Sequence, residues 1–102
     1  MRQYKIRYKP EADLDVVEIW MWYENQKEGL GDEFLNELDE QNQILTKHPK
    51  INPIKHKNIR KLQLKKFSKY GVFYVVDEIK NEVQIIAVMH DSRHEQNWKN
   101  RK

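Results

Sequence analysis

The last third of the chain decides the fold: Tyr70–Arg101 reads YGVFYVVDEIKNEVQIIAVMHDSRHEQNWKNR. Within it, Val72–Val76 and Val83–Met89 are dense in β-branched and aromatic residues, a composition typical of buried strands. The polar segment DEIKNE between them supplies turn-forming residues that end one strand before the next begins. This stretch therefore predicts a β-hairpin at the centre of a sheet.

The composition changes abruptly where the second strand ends. From His90 to His94 the side chains are polar or charged, and Trp98 and Arg101 follow. A buried strand would deliver these groups to one edge of the fold, where a rigid element can present them. We expect a functional site at this edge.

Length and composition limit the class of protein. The 102 residues predict a single domain, residues 1–102, with one modest core, and the absence of cysteine excludes disulfides and thiolate chemistry. The apolar runs Ile19–Tyr23 and Ile85–Met89 have only five residues, far fewer than a membrane span or a signal peptide needs. We expect a soluble, cytoplasmic protein.

Charge is distributed unevenly along the chain, although the net charge is only +3. Residues 11–40 hold eleven acids and one base, a formal charge of −10, whereas residues 47–70 hold nine bases and no acid. An acidic side and a basic side indicate a polyanionic or acidic partner. The alternative is that the two regions are solvated faces that neutralise each other.

The first half of the chain predicts one strand and two helices. Tyr4, Ile6 and Tyr8 alternate with bases, which is typical of a half-buried strand, and Pro10 ends it. Apolar residues at helical spacing then predict a helix over residues 11–26, in which Trp20 and Trp22 are interpreted as core and shoulder residues. The stripe consists of Ala12, Val16, Ile19, Trp20 and Tyr23.

A helical hairpin and three consecutive strands complete the prediction. The two glycines of KEGLGD break the first helix, and a second helix begins near Asp32 and ends before His48–Pro49. Residues 47–58 contain two prolines and predict a loop, after which Ile59–Leu64 predicts a strand. The expected fold class is α+β in the order β-α-α-β-β-β. Its antiparallel sheet carries the helices on one face and the first strand at an edge or beside the last strand.

The C-terminal motif is the most informative candidate site. Arg93 at a strand end can bind phosphate or carboxylate, Trp98 can stack on a base or a partner, and His90 can exchange protons near neutral pH. The alternative is that Trp98 folds back onto the sheet while Arg93 pairs with an acid of the helical hairpin. His90 and His94 are four residues apart without a third ligand, so we do not expect a metal or another cofactor.

The basic segment adds further candidates. Its lysines, including Lys61 and Lys65, can follow a phosphate backbone or contact an acidic protein, and Arg101 can contribute to the same surface. Glycine-rich phosphate loops and Ser/His/Asp arrangements are absent from the sequence. The residues alone therefore indicate a small α+β domain with a basic site at a strand end.

The chain resembles the RelE/ParE superfamily of bacterial toxins from type II toxin–antitoxin systems, and the resemblance covers nearly all of it in order. The pieces that carry it are YKIRYKPEADLDVVEIWMWY (4–23), LGDEFLNEL (30–38), IRKLQL (59–64), YGVFYVV (70–76) and VQIIAVMHDSRHEQNWKNR (83–101). The resemblance implies a strand, two helices and an antiparallel sheet. It also implies a cognate antitoxin whose C-terminal segment wraps the toxin and neutralises it.

The superfamily implies two different targets. RelE-type toxins cut mRNA on the ribosome with clustered basic side chains and a C-terminal Tyr or His, whereas ParE-type toxins poison DNA gyrase. Three positions depart from the RelE pattern. Gly71 replaces an arginine, Asp91 stands where another cation is expected, and Trp98 stands about where a catalytic tyrosine would be.

RNA cleavage requires a base, an acid and a cation that stabilises the developing negative charge. These departures leave few residues that could supply them. His90 and Arg93 are the main catalytic candidates under a RelE-like mechanism, with Arg60 and Lys66 as weaker ones. The ending is closer to ParE-like members, so the leading hypothesis is a toxin that binds gyrase and is not an enzyme. A ribosome-dependent mRNA endoribonuclease is the alternative, and a non-toxic nucleic-acid- or protein-binding domain is a further one.

Overall fold

The computed structural model describes residues 3–101, which form five strands and three helices. The elements are β1 (Lys5–Tyr8), α1 (Pro10–Gln26), α2 (Leu30–Lys47), β2 (Ile54–His56), β3 (Ile59–Gln63), β4 (Tyr70–Asp77), β5 (Glu82–His90) and α3 (Gln96–Lys99). In this part of the chain, no helix has both the length and the apolar character needed to cross a membrane.

The strands form one sheet in the order β1-β5-β4-β3-β2. This arrangement confirms the α+β class, the central β4–β5 hairpin and the place of β1 beside the last strand. Strands β2 to β5 are antiparallel to their neighbours, but β1 runs parallel to β5, so the sheet is mixed rather than antiparallel throughout. The sequence did not predict this because the alternation of side chains along a strand carries no information about its direction.

The segment predicted as a loop over residues 47–58 contains the short edge strand β2. Ile54 pairs with Arg60 of β3, and the connection turns at Lys57, whose φ is +53°. Three residues are too few to show a period of two in the sequence, and two prolines obscure them further. The prediction of a loop was therefore wrong for Ile54–His56.

The helical hairpin is confirmed, and a side chain of α1 caps its turn. Gly29 has a φ of +88°, and Glu24 accepts the N–H groups of Gly29 and Gly31 at 3.2 and 2.8 Å. Gly31 lies against α1 so closely that a Cβ there would be 2.7 Å from the carbonyl oxygen of Trp20. A side chain at position 31 would therefore force the two helices apart.

The sheet separates two apolar clusters. The face towards the helices buries side chains such as Phe34, Leu45 and Tyr74. The opposite face is covered by the C-terminal segment, residues 91–101, which contributes Trp98 to its cluster. The members of this second cluster are Ile59, Phe73, Val75, Ile86, Ala87, Met89 and Trp98.

Only part of the predicted stripe on α1 is buried. Ala12 and Ile19 are buried, whereas Val16, Trp20 and Tyr23 are only half-buried. Trp22, interpreted from the sequence as a shoulder residue beside this stripe, is well exposed. Three further apolar side chains, Leu14, Val17 and Met21, are more than half exposed along one side of the helix, which we call the α1 face. Apolar surface of this kind is a common feature of binding sites.

Alkaline pH should destabilise the fold through Tyr70, whose ring packs with Tyr23 and Phe34. Burial, and then the hydrogen bond with Tyr23, raise the pKa of Tyr70 from 10.0 to about 12. The unfolded chain would lose this proton first. Stability attributable to Tyr70 is therefore constant below pH 10 and falls between pH 10 and pH 12, by about 1–2 kcal/mol.

Urea denaturation at several pH values checks this expectation. Tyr70→Phe should show a shallower loss of stability over the same range than the unsubstituted chain. An equal loss in both proteins would assign the alkaline sensitivity to other groups.

Candidate functional site

A cleft of about 290 Å³ lies on the sheet face opposite the helices, between the strand ends and the C-terminal segment. It contains three basic side chains and His90, with an aromatic floor. The residues that line it are Lys55, Lys61, Phe73, Met89, His90, Asp91, Arg93, Glu95 and Trp98. His90, Asp91, Arg93 and Trp98, which the sequence places at or after the end of β5, therefore line one concavity.

His90 ends β5 and is held in one orientation. Its ring packs edge-on against Tyr70, with 5.1 Å between ring centroids, and its Nδ1 accepts the backbone N–H of Ser92 at 3.0 Å. A ring nitrogen that accepts an N–H carries no proton, so the neutral ring has its hydrogen on Nε2. The arrangement therefore leaves Nε2 as the nitrogen for a ligand.

Arg93 is one of the two cleft bases that make no ion pair within residues 3–101, the other being Lys55. The backbone N–H of Arg93 donates to the carbonyl of His90 at 3.0 Å, which forms a tight turn directly after the strand. The side chain is exposed, and within residues 3–101 it makes no ion pair or hydrogen bond. The pairing of Arg93 with an acid of the helical hairpin is therefore not found.

Lys61, in contrast, is neutralised within the cleft. Its Nζ lies 3.2 Å from Oδ1 of Asp91 and 5.5 Å from the ring centroid of Phe73. The side chain crosses Gly71, where a Cβ would lie 2.4 Å from Cε of Lys61. Gly71 and Asp91, two positions that depart from the RelE pattern, thus act together: one makes room for Lys61 and the other pairs with it.

The weaker catalytic candidates lie elsewhere. Arg60 donates to the carbonyl oxygens of Asn52 and Lys50 at 2.6 and 3.3 Å, so its guanidinium fixes the loop before β2. Lys66 pairs with Glu33 at 2.8 Å, and this hydrogen bond and charge lower the pKa of Glu33 and raise that of Lys66.

A second cleft, between α2 and the β3–β4 connection, contains the other basic candidates. It has a volume of about 260 Å³ and is lined by Lys65 and Lys66 together with three glutamates of α2. Among them, Glu37 is buried and accepts the N–H groups of the β3–β4 connection. The predicted basic set is thus divided between two sides of the molecule.

Trp98 is a core residue. It is only 8 % exposed and stacks on Phe73, with 4.3 Å between ring centroids and 17° between ring planes. The alternative interpretation, in which this tryptophan folds back onto the sheet, is the one that the structure shows. Because Phe73 occupies its stacking face, Trp98 shapes the wall of the cleft and offers no open platform for a base.

Arg101 is also used internally. Its guanidinium donates to both carboxylate oxygens of Asp15 on α1, at 2.5 and 3.2 Å, and to the carbonyl of Ile86 at 3.3 Å. Asp15 accepts the N–H of Val88 at 3.0 Å as well. These contacts tie the end of the C-terminal segment to α1 and β5, and we therefore place Arg101 outside the ligand-binding surface.

Sequence reasoning missed Lys55 and Glu95 in the cleft. Lys55 was obscured because β2 was not predicted, although it belongs to the basic segment. Glu95 pairs with Lys99 one helical turn away, and this contact lowers the pKa of Glu95. No group of three or more His, Asp or Glu side chains within residues 3–101 is placed to hold a metal ion.

Comparisons with known proteins agree on one fold. The family model for the ParE toxin of the type II toxin–antitoxin system parDE matches residues 6–95. The chromosomal ParDE system of P. aeruginosa superposes with a TM-score of 0.74 at 16 % identity, covering 86 % of this chain and 96 % of that one. The intact E. coli RelBE complex gives 0.65 at 22 % identity, covering 88 % and 99 %.

A third solved structure, the isolated E. coli RelE toxin, gives a TM-score of 0.64 at 22 % identity and covers 94 % of this chain and 93 % of that one. No curated protein sequence matches the chain. At these identities the solved structures establish the shared fold, while the family model covers most of the chain.

Proposed function

Since the chain belongs to the ParE toxin family of type II toxin–antitoxin systems, we propose that it arrests bacterial growth by binding DNA gyrase and that a cognate antitoxin neutralises it. Gyrase follows from the resemblance to ParE-type toxins. The observation that carries the choice over RNA cleavage is the internal pairing of the basic candidates: Lys61 binds Asp91, Lys66 binds Glu33, and Arg60 binds loop carbonyls.

The unpaired side chains of the cleft are better suited to binding a protein target than to cleaving RNA. An RNA cleavage site needs a base, an acid and concentrated positive charge at one phosphate. Among the three bases of the cleft, Arg93 beside His90 and Lys55 on β2 are unpaired, whereas Lys61 is neutralised by Asp91. One exposed arginine at a strand end is sufficient to bind a carboxylate of a protein target bidentately.

The antitoxin is the second partner in this proposal. The P. aeruginosa and E. coli structures to which this chain is similar are a ParDE toxin–antitoxin system and the intact RelBE toxin–antitoxin complex. In this chain, the α1 face exposes apolar side chains that a wrapping segment can cover, and acids surround them on α1. Covering this face and the cleft would keep the toxin from its target.

Replacing Arg93 with alanine should raise the protein concentration needed to inhibit gyrase supercoiling by about 10- to 100-fold, because a charge-assisted contact with the target is lost. The measurement is a supercoiling assay with the purified protein freed of antitoxin. Lys80→Ala is the matched control, since Lys80 is an exposed base in the distant β4–β5 turn. Equal inhibition by Arg93→Ala and Lys80→Ala would remove Arg93 from the target-binding surface.

A ribosome-dependent mRNA endoribonuclease is the second candidate, because His90 and Arg93 do share one cleft. In that mechanism His90 is the base or acid and Arg93 stabilises the transition state. Primer extension on translated mRNA would then show cuts in the ribosomal A site that disappear in Arg93→Ala. Gyrase inhibition without such cuts would exclude this candidate.

A further inference from the structure

Two isoleucines project from the connection that precedes β3. Ile51 is 64 % exposed and Ile54, the first residue of β2, is 52 % exposed. Single exposed apolar residues are common on protein surfaces, but these two lie three positions apart on one short segment. We call residues 49–57, which contain them, the β2 knuckle.

The β2 knuckle is held rigidly from beneath. Arg60 donates to the carbonyls of Lys50 and Asn52, and the buried Tyr74 donates its hydroxyl to the carbonyl of Pro49 at 2.8 Å. The side-chain amide of Asn52 donates back to the Tyr74 hydroxyl at 3.2 Å. A segment ordered in this way loses little conformational entropy when a partner binds.

The surroundings of the β2 knuckle are basic. Its exposed bases are Lys50, Lys55 and Lys57. Lys50 pairs with Glu78 at 2.8 Å, whereas Lys55 and Lys57 make no ion pair within residues 3–101. The knuckle is also continuous with the cleft. Lys55 lines the cleft wall, and the ring of His56 lies edge-on to Trp98 with 6.4 Å between ring centroids.

We propose that the β2 knuckle inserts Ile51 and Ile54 into an apolar pocket with an acidic rim on the protein target of this toxin. The inference rests on the proposed function in one respect, namely that the target is a protein. Charge complementarity selects an acidic partner, and the isoleucines select one with an apolar pocket. A second copy of the chain is disfavoured at this surface because two basic knuckles would repel each other.

The double variant Ile51→Ser/Ile54→Ser tests the proposal, with Ile79→Ser as the control. Ile79 is 94 % exposed in the β4–β5 turn and belongs neither to the knuckle nor to the cleft lining, although its neighbour Glu78 pairs with Lys50 of the knuckle at 2.8 Å. Growth arrest after induced expression and gyrase inhibition by the purified full chain are measured for each protein. We expect the double variant to need about tenfold more protein for the same effect, and the control to match the unsubstituted chain.

Thermal denaturation checks that both proteins remain folded, which we expect because the substituted side chains are exposed. A folded double variant that arrests growth as well as the unsubstituted chain overturns the proposal. The proposal is also overturned if the double variant loses antitoxin binding but keeps its toxicity. If the unsubstituted chain arrests growth without affecting gyrase and the double variant does not arrest growth, the docking surface stands and gyrase is the wrong target.

The variant Lys55→Gln/Lys57→Gln separates a protein target from a nucleic acid. A phosphate backbone is recognised by the bases and makes no use of the isoleucines. We expect both double variants to weaken toxicity. A loss confined to the lysine variant would indicate a polyanion as the occupant and overturn the proposal.

Discussion

Replacing Trp98 with alanine is expected to lower the free energy of unfolding by about 3–5 kcal/mol. The indole is 8 % exposed, stacks on Phe73 and covers the sheet face opposite the helices. Its removal would leave a cavity against the second apolar cluster, since the short helix α3 has few other contacts that can fill it. Urea denaturation followed by circular dichroism measures the change.

Trp22→Ala provides the matched control for this substitution. The same side chain is removed, but Trp22 is 59 % exposed on α1, so we expect a loss below about 1 kcal/mol. Similar losses at the two positions would contradict the conclusion that the C-terminal segment is an integral part of the core.

Replacing Glu37 with alanine is expected to lower the free energy of unfolding by about 3–5 kcal/mol as well, because hydrogen bonds rather than apolar contacts are lost. The carboxylate is buried and accepts the N–H groups of Lys65, Lys66 and Phe67 at 2.5, 3.1 and 2.9 Å. Alanine would leave these three amides of the β3–β4 connection without their acceptor. Urea denaturation again gives the loss.

Glu37→Gln tests the same contact more gently. Glutamine keeps the shape but replaces one carboxylate oxygen by a donor, so we expect a loss smaller than that of alanine, about 1–3 kcal/mol. Glu40→Ala, at an exposed position one turn further along α2, should have little effect. Losses at position 37 no larger than that of Glu40→Ala would show that the connection does not depend on this carboxylate.

Most of the fold follows from local patterns in the sequence. The β-branched runs of the β4–β5 hairpin and the glycine break between the helices are signals that neighbouring residues provide. The parallel direction of β1 has no such signal, because it depends on how the helical hairpin returns the chain across the sheet. Strand β2 and helix α3, with three and four residues, are too short to show a period.

The sequence indicated where the candidate site lies, but not which of its basic side chains are free to bind a ligand. The change of composition after Met89 located the cleft and identified His90 and Arg93, which both line it. It could not distinguish free cations from paired ones, because the partners are distant in sequence: Asp91 is 30 residues from Lys61, and Asp15 is 86 residues from Arg101. Both interpretations of the uneven charge hold in part. Acids of α2 pair with the basic β3–β4 connection, as in Glu33–Lys66, whereas Lys55 and Lys57 of the β2 knuckle make no ion pair within residues 3–101 and can face an acidic partner.

The measurement that tests the central claim most directly is a pair of parallel assays on the purified chain freed of antitoxin. One assay follows supercoiling and DNA cleavage by gyrase, and the other follows protein synthesis in a cell-free translation system. A toxin that binds gyrase should block supercoiling at concentrations that leave translation unaffected. Arrest of translation with unaffected gyrase would contradict this account and return His90 and Arg93 to the roles of catalytic residues.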